Sequence, residues 1–202
     1  TQYFGGLSEM VRGRVVVITG IPGVGKSTVL NELTRIAGKI GKEIQVVNFG
    51  TVMVKIAEQK RGVTHRDEIR HKPIQFQHQL QIQAAKEIAK MTGKGSILIV
   101  DTHMMIRTES GYWAGLPSHV ITELKPDLLI LIEADPKEIF HRRTADQTRM
   151  RDRVLMDDVL EEIAFSRAFA AACGTLTGAP VKIVQNPTGR QVKATEEILK
   201  LL

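Results

Sequence analysis

The sequence predicts an α/β fold in which a parallel sheet of five strands carries helices on both faces. Short apolar segments alternate along the 202-residue chain with longer segments of helical periodicity, a pattern typical of parallel strands joined by right-handed crossovers. Four of the five apolar segments are dense in valine, isoleucine and leucine, as expected of strands covered on both faces. The length predicts one domain, which we take to span residues 1–202.

The predicted strands are short apolar runs, and the first of them is an almost unbroken run of branched side chains. The strands span residues 14–19, 44–48, 96–101, 128–132 and 181–185. Helices are predicted at residues 27–40, 51–60, 73–92, 117–124, 136–145, 157–173 and 190–201. Ligands of parallel sheets bind beyond the carboxyl ends of the strands. We therefore expect one crevice, surrounded by the polar residues that end or follow the strands: Asn48, Asp101, Glu133 and Asn186.

A phosphate-binding loop is predicted between the first strand and the helix after it. Nine residues match the pattern G-x-x-x-x-G-K-[ST]: Gly20, Ile21, Pro22, Gly23, Val24, Gly25, Lys26, Ser27 and Thr28. Glycines let backbone N–H groups close around phosphate oxygens, and the helix N-terminus adds the positive end of its dipole. In this motif the lysine reaches the β- and γ-phosphates and the first hydroxyl after it binds Mg²⁺. The sequence therefore predicts a P-loop NTPase fold that binds ATP and Mg²⁺.

Asp101 is a second candidate for the magnesium site. It ends the third predicted strand, directly after Ile97, Leu98, Ile99 and Val100. A carboxylate at this position of a P-loop protein holds Mg²⁺ directly or through water. The alternative is an aspartate that only caps the following loop.

The charge distribution favours a phosphate clamp over a nucleic-acid surface. The net charge is +6 and the sequence pI about 9.5, values that fit either kind of partner. Five arginines lie within twelve residues: Arg142, Arg143, Arg149, Arg151 and Arg153. Aromatic residues make up 4% of the chain and none lies in this cluster, whereas single-stranded nucleic acids are bound by stacking on aromatic side chains. We predict no nucleic-acid partner and interpret the cluster as a mobile flap that contacts phosphates; a solvated surface cluster is the alternative.

A polar segment at residues 61–73 is longer than a simple crossover requires. It lies next to the γ-phosphate end of the predicted loop, where an acceptor substrate would dock. The helix after it carries Gln79 and Gln83 four residues apart. Either could read the edge of a base, and we take Gln83 as the candidate substrate-binding residue.

The cysteine, the histidines and the hydropathy of the chain indicate its location and whether it holds a structural metal. Cys173 is the single cysteine, which excludes an intrachain disulfide and fits a cytoplasmic location. No apolar run approaches the roughly 18–20 residues that span a membrane, and the first ten residues lack the features of a signal peptide. Apart from His71 and His78, which are separated by Pro73, the six histidines form no pair at metal-ligand spacing on a clear helix. We therefore expect no structural metal.

Seven stretches together resemble the archaeal type of adenylate kinase, from about residue 14 to near the end of the chain. They are residues 20–28, 48–53, 66–70, 101–103, 111–117, 142–152 and 166–168. The P-loop is shared by many NTPases, whereas the combination is much more specific. The resemblance implies reversible, Mg²⁺-dependent transfer of the γ-phosphoryl group of ATP to AMP, giving two ADP. It also implies an AMP-binding insertion at about 49–72, a short lid at about 142–153 and a homotrimer.

The resemblance also assigns roles to single residues. Besides Lys26 and Ser27, the arginines that would grip the transferring phosphoryl group are Arg143, Arg149 or Arg151, and Arg167. The arginines that would contact the AMP phosphate are Arg70 and Arg107. The loop from Asn186 to Gly189 would lie beneath the adenine of ATP.

Two positions depart from the pattern expected of that family. Ser166 stands where we expect asparagine, and Thr188 stands where we expect an acidic residue. Two other functions stay open at this point: a P-loop kinase of another nucleoside monophosphate or small acceptor, and an RNA-associated NTPase.

Overall fold

The computed structural model describes residues 12–59, 69, 72–108, 111–145 and 155–202. Seven strands and seven helices are described in these ranges. In chain order they are β1 (Arg14–Thr19), α1 (Lys26–Lys39), β2 (Ile44–Asn48), α2 (Phe49–Gln59), α3 (Ile74–Lys90), β3 (Ile97–Asp101), β4 (Met105–Thr108), β5 (Gly111–Ala114), α4 (Ser118–Leu124), β6 (Leu128–Glu133), α5 (Pro136–Ala145), α6 (Met156–Thr177), β7 (Val181–Gln185) and α7 (Gln191–Leu201).

The predicted five-stranded parallel sheet is confirmed. Its strand order is β2-β3-β1-β6-β7, and every neighbouring pair is parallel. Strand β1 lies at the centre because its apolar side chains are covered on both faces, with Val16, Val17 and Ile18 fully buried. The five carboxyl ends therefore lie along one edge of the sheet, which we call the carboxyl edge.

The predicted helices cover both faces of the sheet. On one face α3, α4 and α6 pack against the strands, with Ile88, Val120 and Ala170 in the shared core. On the other face α1 and α7 pack together, with Leu33 and Ile198 buried between them and the sheet. The alternation of apolar and polar segments along the chain thus translates directly into three layers.

An antiparallel hairpin of β4 and β5, which the sequence analysis did not predict, lies between β3 and α4. Its strands are only four residues each, too short to show a convincing alternation. Helix α6 is also longer than predicted and continues to Thr177. Within the described ranges, no helix combines the length and apolar character needed to cross a membrane.

Candidate active site

The P-loop connects the end of β1 to the first residue of α1. Gly23 and Gly25 have φ angles of 93° and 82°, values that residues with a Cβ rarely adopt. An added Cβ at Gly25 would also lie 2.6 Å from Nδ2 of Asn186. Both positions therefore need glycine, which the motif prescribes at Gly25 but not at Gly23.

The N-terminus of α1 is open to an anion. Its N-cap residue, Gly25, provides no side-chain cap, and the first turn holds no acidic residue. The first N–H groups of a helix have no partner within the helix, and the side chains of Ser27 and Thr28 are exposed. Together with the helix dipole, these donors can bind phosphate oxygens.

Lys26, Asp101 and Asn48 form one network on the carboxyl edge. Asp101 is paired in the sheet with Asn48 on one side and Ile18 on the other. The Lys26 ammonium group donates to Oδ1 of Asp101, and Nδ2 of Asn48 donates to Oδ2 over 2.6 Å. Oδ1 of Asn48 in turn accepts the backbone N–H of Thr51 over 3.0 Å. The start of α2 therefore orients the amide that holds the carboxylate.

The groups around Asp101 are suited to magnesium. Mg²⁺ prefers oxygen ligands and usually keeps several waters. The oxygens available here are the carboxylate of Asp101 and the exposed hydroxyl of Ser27. Asp101 could hold the ion directly or through water.

Two consecutive arginines of α5 hold the P-loop from outside. Arg143 donates from Nε to the carbonyl of Pro22 over 2.7 Å, and its Nη2 pairs with Glu162 of α6 over 2.5 Å. Arg142 donates to the carbonyl of Gly23 over 3.1 Å. Only 5% of the Arg143 side chain is exposed, so in this structure it supports the loop backbone rather than pointing towards the solvent.

The loop after β7 lies against the P-loop, as the sequence predicted for Asn186. Its Nδ2 donates to the carbonyl of Val24 over 2.8 Å. Arg142 donates to the hydroxyl of Thr188 over 2.8 Å, and Glu138 accepts the N–H of Thr188 over 2.9 Å. An acidic residue was expected at position 188 itself. The carboxylate at this point of the loop instead belongs to Glu138 of α5, which contacts the backbone of Thr188. Gly189 follows with a φ of 73°.

Arg167 of α6 reaches the same edge through Glu133, the last residue of β6. Its Nε and Nη2 donate to the two oxygens of Glu133 over 2.7 and 2.6 Å, and this hydrogen bonding raises the pKa of the guanidinium group. Glu133 is 5% exposed, whereas 54% of the Arg167 side chain is accessible. Both residues line a cavity of about 500 Å³ with Pro187.

Ser166, the residue before Arg167, is buried at 2% exposure. Its hydroxyl has no hydrogen-bond partner among the described residues. The expected asparagine side chain is therefore replaced by a small group that faces the protein interior.

Arg107 and Gln83 lie outside these contacts. Arg107, on β4, forms an ion pair with Asp158 at the start of α6 over 2.8 Å. Its cross-strand neighbour Tyr112 hydrogen-bonds Glu161, and desolvation is the main reason that the pKa of Tyr112 rises to about 12. Gln83 is partly buried on α3.

Several predicted features fall outside the described residues. These are Arg70, Arg149 and Arg151, most of the predicted lid and the second half of the predicted insertion. The roles proposed for Arg70, Arg149 and Arg151 stay predictions.

Sequence reasoning placed Asn48 and Glu133 around the crevice and Arg142 in the arginine cluster, but it did not predict their contacts with Asp101, Arg167 and the P-loop. The positions of Asn48 and Glu133 at strand ends were a usable signal. Nothing in the sequence marked Glu162 as the partner of Arg143.

The chain is similar in sequence to several known proteins. A family model described as an AAA domain matches residues 19–163. The chain is 43% identical to an adenylate kinase of Methanocaldococcus jannaschii, over 95% of this chain and 100% of that protein. It is 44% identical to an adenylate kinase of Methanopyrus kandleri, over 93% and 97% of the two chains. For an adenylate kinase of Sulfurisphaera tokodaii the identity is 42%, over 92% and 97%.

The fold is also found in solved structures of lower identity. A shikimate kinase from Bacteroides thetaiotaomicron has a TM-score of 0.58 at 12% identity, covering 93% of this chain and 97% of that one. A shikimate kinase from Acinetobacter baumannii, in complex with shikimate, has a TM-score of 0.59 at 14% identity, with coverages of 94% and 92%. At these identities the likeness shows a shared fold alone.

Proposed function

The chain belongs to the adenylate kinase family, and we propose that it transfers the γ-phosphoryl group of ATP reversibly to AMP, giving two ADP. The observation that carries this proposal is the network of Lys26, Asp101 and Asn48 beside a P-loop whose helix N-terminus is uncapped. The relatives named adenylate kinase match this chain over nearly its whole length.

The donor site follows from the contacts of the P-loop. The N–H groups of the loop and the first turn of α1 would bind the phosphates of ATP, and Lys26 would exchange Asp101 for the β- and γ-phosphate oxygens. The loop from Asn186 to Gly189, held against the P-loop by Asn186 and Arg142, would lie beneath the adenine.

Phosphoryl transfer needs positioning and charge stabilisation rather than a protein nucleophile. A phosphate oxygen of AMP forms the new bond to the γ-phosphorus, while the bond from that phosphorus to the bridging oxygen breaks and ADP leaves. No proton has to move, because the attacking oxygen is already ionised. We assign stabilisation of the transferring group to Lys26 and Arg167, together with Arg149 or Arg151.

Arg167 can stabilise the transferring group because its partner in this structure, the Glu133 carboxylate, is a side chain from which it can separate. Its guanidinium group is accessible, and rotation from Glu133 would bring it to the phosphates at the same edge of the sheet. Arg143 would act differently in the described geometry: its contacts with Pro22 and Glu162 support the loop that binds the phosphates.

Mg²⁺ would be held by Ser27 and by Asp101, the latter directly or through water. It would supply charge neutralisation between the β- and γ-phosphates. The acceptor AMP would be bound by the insertion at 49–72 with Arg70, Arg107 and Gln83, and the lid at 142–153 would exclude water.

Three further features complete the proposal. The absence of aromatic residues from the arginine cluster supports a protein without a nucleic-acid partner, and the buried Cys173 thiol supports a cytoplasmic location. The resemblance supports a homotrimer, which sedimentation velocity would test.

The experiment that tests the function supplies MgATP with each nucleoside monophosphate in turn and follows ADP formation. ADP formed with AMP, and lost on omission of Mg²⁺, is the expected result. Transfer to another monophosphate but not to AMP would overturn the assignment, as would ATP hydrolysis that is independent of any acceptor.

A further inference from the structure

Two histidines outside the active site face each other across neighbouring helices. His78 lies on α3 and His119 on α4, and the centres of their rings are 5.1 Å apart with an angle of 53° between the planes. Forty residues of chain lie between them, so no local spacing in the sequence indicates the pair. His78 is exposed and His119 is partly buried, so the pair is open to solvent on one side.

The separation of the rings suits a shared metal ion. Two imidazoles that bind one tetrahedral Zn²⁺ at about 2.0–2.1 Å place their ring centres roughly 5 Å apart. The angle of 53° between the ring planes shows that the rings are not stacked in parallel. The distance between the two histidines therefore needs little change to accommodate a metal.

The hydrogen bond of His119 prepares it as a ligand. Nε2 of His119 lies 3.3 Å from Oε1 of Gln81. Because an amide oxygen only accepts hydrogen bonds, Nε2 carries the proton and Nδ1 carries the lone pair. Metal-binding histidines commonly donate their second ring N–H in this way, which fixes the tautomer and the orientation of the ring.

We propose that His78 and His119 form a binding site for a divalent transition metal such as Zn²⁺, Ni²⁺ or Cu²⁺. Among the described residues, no group of three or more histidine, cysteine or carboxylate side chains could hold a metal. Water therefore completes the coordination shell, and binding is weaker than at a four-ligand structural site. Affinity rises from Co²⁺ through Ni²⁺ to Cu²⁺.

The site differs in chemistry from the magnesium site at the P-loop. Mg²⁺ prefers oxygen ligands, whereas this pair offers two nitrogens. A metal bound here links α3, which carries Gln83, to α4, which is packed against the sheet through Val120 and Ile121. Bound metal thus restrains the movement of α3 relative to the core.

The test is calorimetric titration of the full chain with Ni²⁺ in the presence of saturating Mg²⁺. The expected result is one equivalent of bound Ni²⁺, with binding weakened at least tenfold in both His78→Ala and His119→Ala. The matched control is His141→Ala, since His141 is exposed on α5 and contacts only Phe140 among the described rings; this variant should bind as the unaltered chain does.

A second measurement keeps the test independent of folding defects. Ni²⁺ should raise the melting temperature of the unaltered chain and of His141→Ala, because a ligand that binds the folded state stabilises it. It should not raise that of either site variant, whose melting temperatures without metal show whether they are folded. Equal Ni²⁺ affinity in the folded site variants and the unaltered chain would overturn the proposal.

Discussion

The two edges of the parallel sheet carry carboxylates that are paired in different ways. At the carboxyl edge, Asp101 and Glu133 pair with Lys26 and Arg167. At the opposite edge, Asp127 precedes β6 and accepts the backbone N–H of Val15 over 2.7 Å, with Arg12 donating to its other oxygen over 2.8 Å.

The difference lies in what the carboxylate is bonded to. The N–H of Val15 is part of the backbone of β1 and cannot move away from Asp127 without disturbing that strand. Asp127 therefore joins β1 permanently to the segment before β6. Lys26 and Arg167 are long side chains that can rotate to another anion at little cost to the backbone. Ion pairs between side chains therefore suit a site where phosphates bind and dissociate, whereas a carboxylate bonded to the backbone suits a structural role.

Replacing Lys26 should give the largest effect on activity. Lys26→Ala removes the cation nearest the proposed γ-phosphate, and we expect kcat/KM to fall by at least about 10³-fold, with a melting temperature close to that of the unaltered chain. A coupled assay of ADP formation and thermal unfolding measure the two quantities. Lys90→Ala, which breaks a surface pair with Glu87, is the control. Native-like melting with undiminished turnover would refute the role of Lys26.

Arg167→Ala should lower kcat by about 10²–10³-fold, the loss typical of removing one donor to a developing negative charge. Burst and steady-state kinetics with ATP and AMP measure it. The matched control is Arg35→Ala, because Arg35 is an exposed arginine paired with Glu32 on α1. If both variants lose the same activity, the side-chain pair at Glu133 has no special function and the comparison between the edges fails.

Asp127→Ala should affect stability and leave catalysis unchanged. It leaves the N–H of Val15 without its carboxylate partner, and hydrogen bonds to charged groups contribute about 1.5–3 kcal/mol. We expect a loss of this order in the free energy of unfolding measured with urea, and a kcat within twofold of the unaltered chain. A large fall in kcat at unchanged stability would contradict the structural role.

The smallest effect is expected from a partly exposed side-chain pair away from both edges. The hydrogen bond from Arg107, aided by the N–H of Leu155, lowers the pKa of Asp158 below its usual 3.8. The folded state therefore binds this proton less readily than the unfolded state does. The contribution to stability is present above the usual pKa and is lost as the pH falls through the lowered value.

Unfolding free energies measured from pH 5 down to pH 2 should fall less steeply in Asp158→Asn than in the unaltered chain. High salt should reduce the difference, because exposed pairs are screened. Identical slopes at low salt would show that the pair does not persist in solution.

Much of the fold was predictable because its signals are local. The density of branched apolar residues located the five strands of the sheet, and the P-loop motif located Lys26 and its glycines. The β4–β5 hairpin was missed because its pairing depends on tertiary contacts, such as Tyr112 with Phe165 of α6, rather than on a strong pattern.

The site was less predictable than the fold, since its contacts join distant segments. An arginine in an exposed-looking cluster, Arg143, is buried because Glu162 of a different helix meets it. The pairing of Arg167 with Glu133, and of His78 with His119, likewise becomes visible only when helices and strands are placed in space.

The central position of β1 has a consequence for synthesis on the ribosome. Strand β1 leaves the ribosome first among the described strands, yet its neighbour β6 begins at Leu128, and Asp127 lies 112 positions after Val15. At about 5–20 residues per second, the ribosome needs roughly 6–22 s to deliver that partner. For most of this interval β1 lacks both neighbours, because β3 begins only at Ile97, and its apolar run is a target for chaperones. The P-loop that follows β1 thus leaves the ribosome early but reaches its final structure late.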